Sequence, residues 1–264
     1  MIEARNLHVR FNPGTPIENH ALKGLSLTIP ESQFVTVIGS NGAGKSTFLN
    51  MLSGELLPDS GSVTIDNQDV TSWPTAKRAG LCARVFQDPM AGTCEMLTIE
   101  ENLALAAARG HRRGLRSAVR RELRDEFRER ISVLGLGLEN RLTDKMGLLS
   151  GGQRQAVSLV MATLNPMKIL LLDEHTAALD PKTAAFVMEL TDRIVGEKQL
   201  TTLMVTHSMR QALDHGHRTV MLHAGNVVLD VEGNERQGMK VEDLLHMFEK
   251  VRGEQVDDDS LILG

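Results

Sequence analysis

The segment Gly39-Ser40-Asn41-Gly42-Ala43-Gly44-Lys45-Ser46 fits the pattern G-x-x-x-x-G-K-[ST], in which glycines let successive backbone N–H groups turn inward around phosphate oxygens. Lys45 is then placed to reach the outer phosphates of a nucleotide, and Ser46 to offer a hydroxyl to Mg2+. Further on, Ile169-Leu170-Leu171-Leu172-Asp173-Glu174 reads as a buried strand delivering two carboxylates at its C-terminal end, where open α/β sheets put their ligands. Between these segments lies Leu149-Ser150-Gly151-Gly152-Gln153, just ahead of a helix expected over residues 153–164. The N–H groups of Ser150, Gly151 and Gly152, with that helix N-terminus, make a second anion site. One chain thus carries two receptors for phosphate on separate segments.

Together these segments resemble the ATP-binding-cassette (ABC) ATPases, the engine subunits of ABC transporters, over residues 2–230. The resemblance implies an α/β fold: a mostly parallel phosphate-loop core sheet, an N-terminal antiparallel β-subdomain and an inserted α-helical subdomain. It implies ATP and Mg2+ as cofactors, with ATP on residues Gly39 to Thr47 and with Ser46, Gln87 and Asp173 in the metal shell. Glu174 resembles the base that polarises the attacking water. Gln87 resembles the glutamine-loop residue that senses metal and water and joins the sheet to the helical block. His207, in Val205-Thr206-His207-Ser208, resembles the switch histidine that contacts the γ-phosphate.

By the same resemblance, Ser150, Gly151, Gly152 and Gln153 of one subunit close over ATP held by the phosphate loop of another. Asp180, in Ala178-Leu179-Asp180, then crosses the interface, and the working unit is a homodimer with two composite sites. Phe11 lies at the right distance before the phosphate loop to stack on adenine. With no Tyr and 3% aromatic residues few others could, although a plain core role for Phe11 stays open. Two positions depart from the family pattern: His175 stands where Pro is usual after the catalytic Glu, and Ala177 where Ser is usual. A group as polar as His175 beside Glu174 is expected to alter local pKa or interface packing. The run from Asp173 to Pro181 resembles a subgroup of bacterial importer ATPases found with lipoprotein-type binding proteins, some linked to aromatic amino acids.

The elements that must position these residues follow from apolar spacing. Strands are expected at residues 7–11, 25–29, 34–38, 62–65, 82–86, 168–172, 201–205 and 219–222, and helices from Lys45, at 181–196, 208–214 and 241–251. Thr98-Ile99-Glu100-Glu101 makes a capping box that opens a helical block. Within the block, Leu115, Val119, Leu123, Phe127, Ile131 and Leu134 line one helical face. The expected division is one ABC ATPase domain over 1–264: a catalytic core at 1–87 and 151–240, a helical subdomain at 88–150, and a short C-terminal helix with an acidic tail at 241–264.

Composition sets the remaining bounds. A chain of 264 residues with 41% hydrophobic content can bury a substantial core. Lys+Arg 29 against Asp+Glu 34 leaves a net charge of -5, which gives no global attraction to nucleic acid or an anionic membrane. Cys82 and Cys94 have no metal-ligand spacing and suit a reducing compartment. No apolar run approaches the ~18 residues of a membrane span, and the N-terminus lacks a signal-peptide core. The expectation is a cytoplasmic ATPase, peripheral on the inner membrane through a separate integral-membrane permease, with a substrate-binding protein and with import as the favoured direction.

The Arg-rich stretch at 109–130, holding Arg109, Arg112, Arg113, Arg116, Arg120, Arg121, Arg124, Arg128 and Arg130, is read as a solvated helix face or as a face turned to the membrane surface. A soluble ABC ATPase that drives a scaffold, such as iron–sulfur cluster assembly, shares all these motifs and remains the alternative. A DNA-maintenance ATPase would need a long coiled-coil or zinc-bearing insertion, and the roughly one hundred residues between phosphate loop and Ser150 contain none.

Overall fold

The structure, a computed structural model, describes residues 1–110 and 121–252. In chain order the first half forms β1 (Ile2–Phe11), β2 (Asn19–Ile29), β3 (Phe34–Ile38), α1 (Lys45–Ser53), β4 (Ser60–Ile65), β5 (Gln68–Asp69), α2 (Thr75–Arg78), β6 (Cys82–Val85) and α3 (Ile99–Ala107). The second half forms α4 (Arg121–Ser132), α5 (Gly151–Ala162), β7 (Ile169–Asp173), α6 (Pro181–Lys198), β8 (Thr202–Val205), α7 (Met209–Asp214), β9 (Arg218–His223), β10 (Asn226–Glu232), α8 (Gly233–Arg236) and α9 (Val241–Arg252).

Two sheets result. One is antiparallel, in the order β2-β1-β4-β5; the other runs β10-β9-β3-β8-β7-β6. In the second, β3, β6, β7, β8 and β9 are parallel and only the edge strand β10 is antiparallel. This is the expected α/β architecture. Strand β10 was absent from the sequence reading because its residues are only partly buried and lack clear alternation.

The parallel strands are buried on both faces, and alternate residues enter different cores. Val35, Val37, Leu171, Leu203 and Val205 pack with α1 and the antiparallel sheet. Phe34, Leu170, Leu172 and Met204 pack with residues of α3, α4, α5 and α6. Each such aliphatic side chain contributes about 1.5–3 kcal/mol on burial. A third cluster, with Ile38, Met209, Met221, Leu244 and Phe248, seats α9.

Within the helical block, Thr98 caps α3 as expected: Glu101 N–H donates to Thr98 Oγ1 at 3.2 Å, and Thr98 N–H to Glu101 Oε2 at 2.7 Å. Phe127, Ile131 and Leu134 are buried and Leu123 packs at the margin, while Leu115 and Val119 lie outside the described residues. Four arginines of the basic stretch, Arg109, Arg124, Arg128 and Arg130, are engaged by partners within the chain. Arg124 forks Glu100 with two bonds of 2.6 Å, and Arg109 donates to Ala162 O at 3.0 Å. Arg128 pairs with Asp125 at 2.7 Å and Arg130 with Glu126 at 3.8 Å. Arg112, Arg113, Arg116 and Arg120 fall outside the described residues, as does the acidic tail.

Two further arginines close helix ends, where the last carbonyls have no intrahelical partner. Arg78, fully buried, donates to the carbonyls of Met51, Leu52, Thr71 and Trp73. Arg236 donates to those of Ala212, Leu213 and His215 beside α7.

His175, one of the two residues that depart from the family pattern, is a core residue. It is 2% exposed, and its Nε2 lies 3.0 Å from Thr191 Oγ1 on α6. Burial pushes its pKa from 6.5 down to about 4; His215 lowers it further and Asp192 opposes. The folded imidazole thus stays neutral where the unfolded one protonates. Its contribution to stability is complete above pH 6.5 and falls away as the pH drops toward about 4. The full loss is on the order of 3 kcal/mol. Thermal unfolding of His175→Gln, compared with the parent from pH 7 to 4, is expected to show the weaker pH dependence; parallel curves would count against the buried neutral imidazole.

Candidate active site

The loop after β3 is built by glycine geometry. Gly39 has φ 150, and an added Cβ would stand 2.2 Å from Leu222 O. Gly44 caps α1 at φ 103, and a Cβ there would meet Ala21 O at 2.8 Å. Neither position has room for a side chain, so the backbone N–H groups remain unshielded at the start of α1. Lys45 begins α1 as expected. It is 5% exposed, and its Nζ donates to Gly39 O at 2.6 Å and Ser40 O at 3.1 Å, carbonyls of its own loop. Desolvation lowers its pKa, while the charges of Glu174 and Asp173 act to raise it.

A cleft of about 180 Å³ lies over this loop, lined by residues Asn41 to Thr47 with Phe11, Asn19, Ala21, Glu174 and His207. The phosphate loop, the candidate base Glu174, the candidate switch residue His207 and the candidate adenine platform Phe11 therefore meet in one place. Phe11 ends β1 and is 38% exposed, so it is a surface aromatic at the cleft and not a core residue. Asn19 and Ala21 of β2 were not anticipated; β2 starts earlier than expected, because His20, Lys23 and Gly24 interrupt its apolar alternation.

Glu174 follows β7 in the left-handed region at φ 46, a conformation that costs a non-glycine residue free energy and concentrates at functional sites. Its Oε1 lies 2.7 Å from His207 Nε2, so the imidazole carries a proton on Nε2 and donates it. Hydrogen bonds around Gln211 tie the two segments together. Thr206 Oγ1 donates to Gln211 Oε1 at 2.8 Å, and Gln211 Nε2 donates to Thr176 Oγ1 at 3.3 Å.

Asp173 ends β7 and is held by Arg84, whose NH2 group donates to Oδ2 at 2.6 Å. Ser46, the second residue of α1, is exposed. Gln87 follows β6, is exposed, and does not line the cleft of this chain. Nor do Ser150, Gly151, Gly152, Gln153 and Asp180.

The segment expected to form a second phosphate receptor differs in detail from expectation. Helix α5 begins at Gly151, so Gly151 and Gly152 form its first turn instead of preceding it. Ser150 is the N-cap: Gln153 N–H donates to its Oγ at 3.3 Å, and its own N–H donates to Gln153 Oε1 at 3.1 Å. The run is a capping box, read in the sequence as loop because its two glycines are poor helix formers. Gly152 also meets α6, since a Cβ there would stand 2.0 Å from Thr183 Cγ2. Thr183 N–H donates at 3.1 Å to Asp180, the N-cap of α6, and these bonds hold the Asp180 carboxyl below its ordinary pKa. Ser150 and Asp180 are both exposed and thus accessible to another molecule.

Comparison with known proteins agrees with this geometry. Residues 22–177 match the family model described as ABC transporter. The chain is 47% identical over 251 residues to the tyrosine transport ATP-binding protein of Clostridioides difficile (strain R20291), covering 94% of this chain and 99% of that one. It is 32% identical over 221 residues to the thiamine import ATP-binding protein ThiQ of Escherichia coli (strain K12), covering 84% and 90% respectively. Among solved structures, a dimeric post-hydrolysis state of the ATP-binding cassette MJ0796 bound to ADP and Pi superposes with a TM-score of 0.74 at 31% identity, over 88% of this chain and 98% of that one. With phosphate loop, carboxylate pair and capped Ser-Gly-Gly-Gln helix in one α/β frame, this chain belongs to the ABC transporter family, as an ATP-binding cassette subunit.

Proposed function

We propose that this protein is the ATP-hydrolysing subunit of an importer, dimerising around two MgATP and driving a separate membrane permease. The observation that carries the reading is the convergence of Lys45, Glu174 and His207 on one cleft. The capped Ser150 segment lies outside that cleft, ready to serve a second copy. Relatives named for tyrosine transport and thiamine import favour transport over a soluble scaffold-driving role. The 47% relative, covering nearly both chains, points to an amino acid cargo of the aromatic class; a substrate-binding protein is proposed to deliver it. The cytoplasmic face of the plasma membrane is the proposed location; among the described residues no helix is long and apolar enough to cross a membrane.

The donor set fits Mg2+. Ser46 offers a hydroxyl and Asp173 a carboxylate, which matches an ion that takes one or two carboxylates plus substrate phosphates. Bound with ATP, the metal would neutralise charge on the phosphates. On phosphate entry, Lys45 Nζ exchanges the carbonyls of Gly39 and Ser40 for phosphate oxygens. Glu174 accepts the proton of the attacking water, and His207, released from Glu174, donates Nε2–H toward the terminal phosphate. Ser150 and the first N–H groups of α5 in the second subunit complete the shell around that phosphate. Gln87 would join the site only in the nucleotide-bound arrangement.

The permease surface is proposed at a cavity of about 710 Å³ between the segment after β6 and helices α3 and α5, lined among others by Phe86, Pro89, Leu105 and Met161. Met90, Met96 and Leu105 are exposed apolar residues on the same segments. Gln155 of α5 donates to Phe86 O at 3.0 Å across the cavity floor, which links this surface to the helix that starts at Ser150. Docking there would thus be felt at the Ser150 end of α5.

Glu174→Gln is expected to bind ATP, to hydrolyse it about 10²–10⁴-fold more slowly, and to accumulate as a dimer on size-exclusion chromatography. Hydrolysis at the parent rate would remove Glu174 from its role. Purification from detergent-solubilised membranes should recover a multi-span permease that raises ATPase activity. Leu105→Glu should abolish that stimulation and leave the activity of the isolated subunit within about twofold. Recovery only with soluble partners would instead support the scaffold-driving alternative.

A further inference from the structure

Arg84 is a charged residue in a buried parallel strand, and the active site as described gives it no task. It shares a face of β6 with Cys82, toward α1, and its side chain is 11% exposed. Burying a guanidinium there is unfavourable unless several acceptors surround it. They do. NH2 donates to Asp173 Oδ2 at 2.6 Å; NH1 donates to Asn50 Oδ1 at 2.8 Å and to Glu55 Oε2 at 2.9 Å. The guanidinium carbon stands 4.7 Å from the centroid of the Phe86 ring, which fixes the plane of the fork. Only Nε, buried, has no partner among the described residues.

This one side chain thus joins three parts of the nucleotide site. Asp173 ends β7. Asn50 lies on α1 four residues after Ser46, hence on the same helical face. Beyond the end of β6 at Val85 the chain passes through Phe86 to Gln87. The Asp173 carboxylate has one oxygen committed to Arg84, and Oδ1 accepts no hydrogen bond among the described residues.

We infer that Arg84 is a positioning residue for the metal-binding carboxylate: from β6 and α1 it pins Oδ2 of Asp173, so that Oδ1 is held in one orientation for Mg2+ arriving with nucleotide. The inference rests on the proposed metal role of Asp173. Lysine could not replace arginine here, because a single ammonium cannot span Asp173, Asn50 and Glu55 from a fixed plane.

The test is binding, without turnover, of the non-hydrolysable ATP analogue adenylyl imidodiphosphate, measured by calorimetry in excess Mg2+ and again in EDTA. For Arg84→Met the gain in affinity due to Mg2+ is expected to fall about tenfold, with affinity in EDTA within about twofold of the parent. Arg84→Lys should recover only part of that gain. In an Asp173→Asn background, Arg84→Met should cause no further loss, since both act through one carboxylate. A full Mg2+ gain in Arg84→Met beside a lost gain in Asp173→Asn would overturn the positioning role and leave the metal role standing. Equal losses with and without Mg2+ would reduce Arg84 to general support, and a larger gain would make it a competitor of the metal. An unchanged gain in Asp173→Asn would remove the metal role and the inference together. If Arg84→Met does not fold, Arg84→Lys and Asn50→Ala with Glu55→Gln carry the same comparison.

Discussion

Burial of the parallel sheet on both faces is the constraint from which the active site follows. Strands β3, β7 and β8 send alternate residues into two separate cores, so their interiors offer almost no surface on which polar chemistry can stand. Function is forced to the strand ends, and in a parallel sheet the C-terminal ends lie on one edge. Register then sets the spacing. Val37 of β3 pairs with Val205 of β8, which pairs with Asp173 of β7. The residues just beyond them are the phosphate loop, Thr206-His207 and Glu174. Neighbouring strands stand about 4.8 Å apart, so three adjacent ends bring these groups within one nucleotide's reach. The positive φ of Glu174 is the remaining step: it turns the chain immediately after the strand, and Glu174 N–H still reaches Val205 O at 3.0 Å.

The same burial makes the helical block an extension of the sheet. Ile99, Leu103, Phe127, Ile131 and Val157 belong to one continuous core with Leu170, Leu172 and Met204. A close-packed interior of this kind transmits displacement, because neighbouring side chains have no void into which to yield. Helix α5 concentrates the effect, since its first turn is the proposed second phosphate receptor and its second holds Gln155 against Phe86, just past the end of β6. A push at the cavity beside Phe86 can therefore alter the angle at which Ser150 is presented, without any separate lever.

What was readable in the sequence was local. The start of α1 at Lys45, the capping box at Thr98 and the apolar run ending in Asp173 each depend on residues within a few positions of one another, and all stand where expected. What escaped was set by distant partners. Arg84 was not singled out in the sequence, because its acceptors lie 34, 29 and 89 residues away. Arg78 gave no signal, since the carbonyls it binds become available only once α1 ends beside it. His175 was weighed as a neighbour of Glu174, yet its environment is made by Thr191, Asp192 and His215 across the fold. The Ser150 helix was placed two residues late because glycine's low propensity was outweighed by a cap and by a contact with Thr183 that only glycine admits.

Nearly every charged or capping group proposed to meet nucleotide already has a partner in this structure. Lys45 is held by Gly39 and Ser40, Asp173 by Arg84, Glu174 by His207, Ser150 by Gln153, and Asp180 by Thr183. Leaving the buried ones unpaired would be unfavourable, by about 1–3 kcal/mol for a polar group and more for a charge such as Lys45. Binding is therefore an exchange of hydrogen bonds, and the net gain at each position is smaller than the bond formed. A site built this way cannot draw tight closure from one subunit's contacts alone. In the proposed dimer a second copy would bring additional donors, at Ser150 and the first turn of α5, and these would tip the balance toward the closed state. Loss of the terminal phosphate removes the acceptor those donors share, while the internal partners remain at hand. On this proposal the internal bonds make the open subunit a stable resting form, and hydrolysis would suffice to restore it.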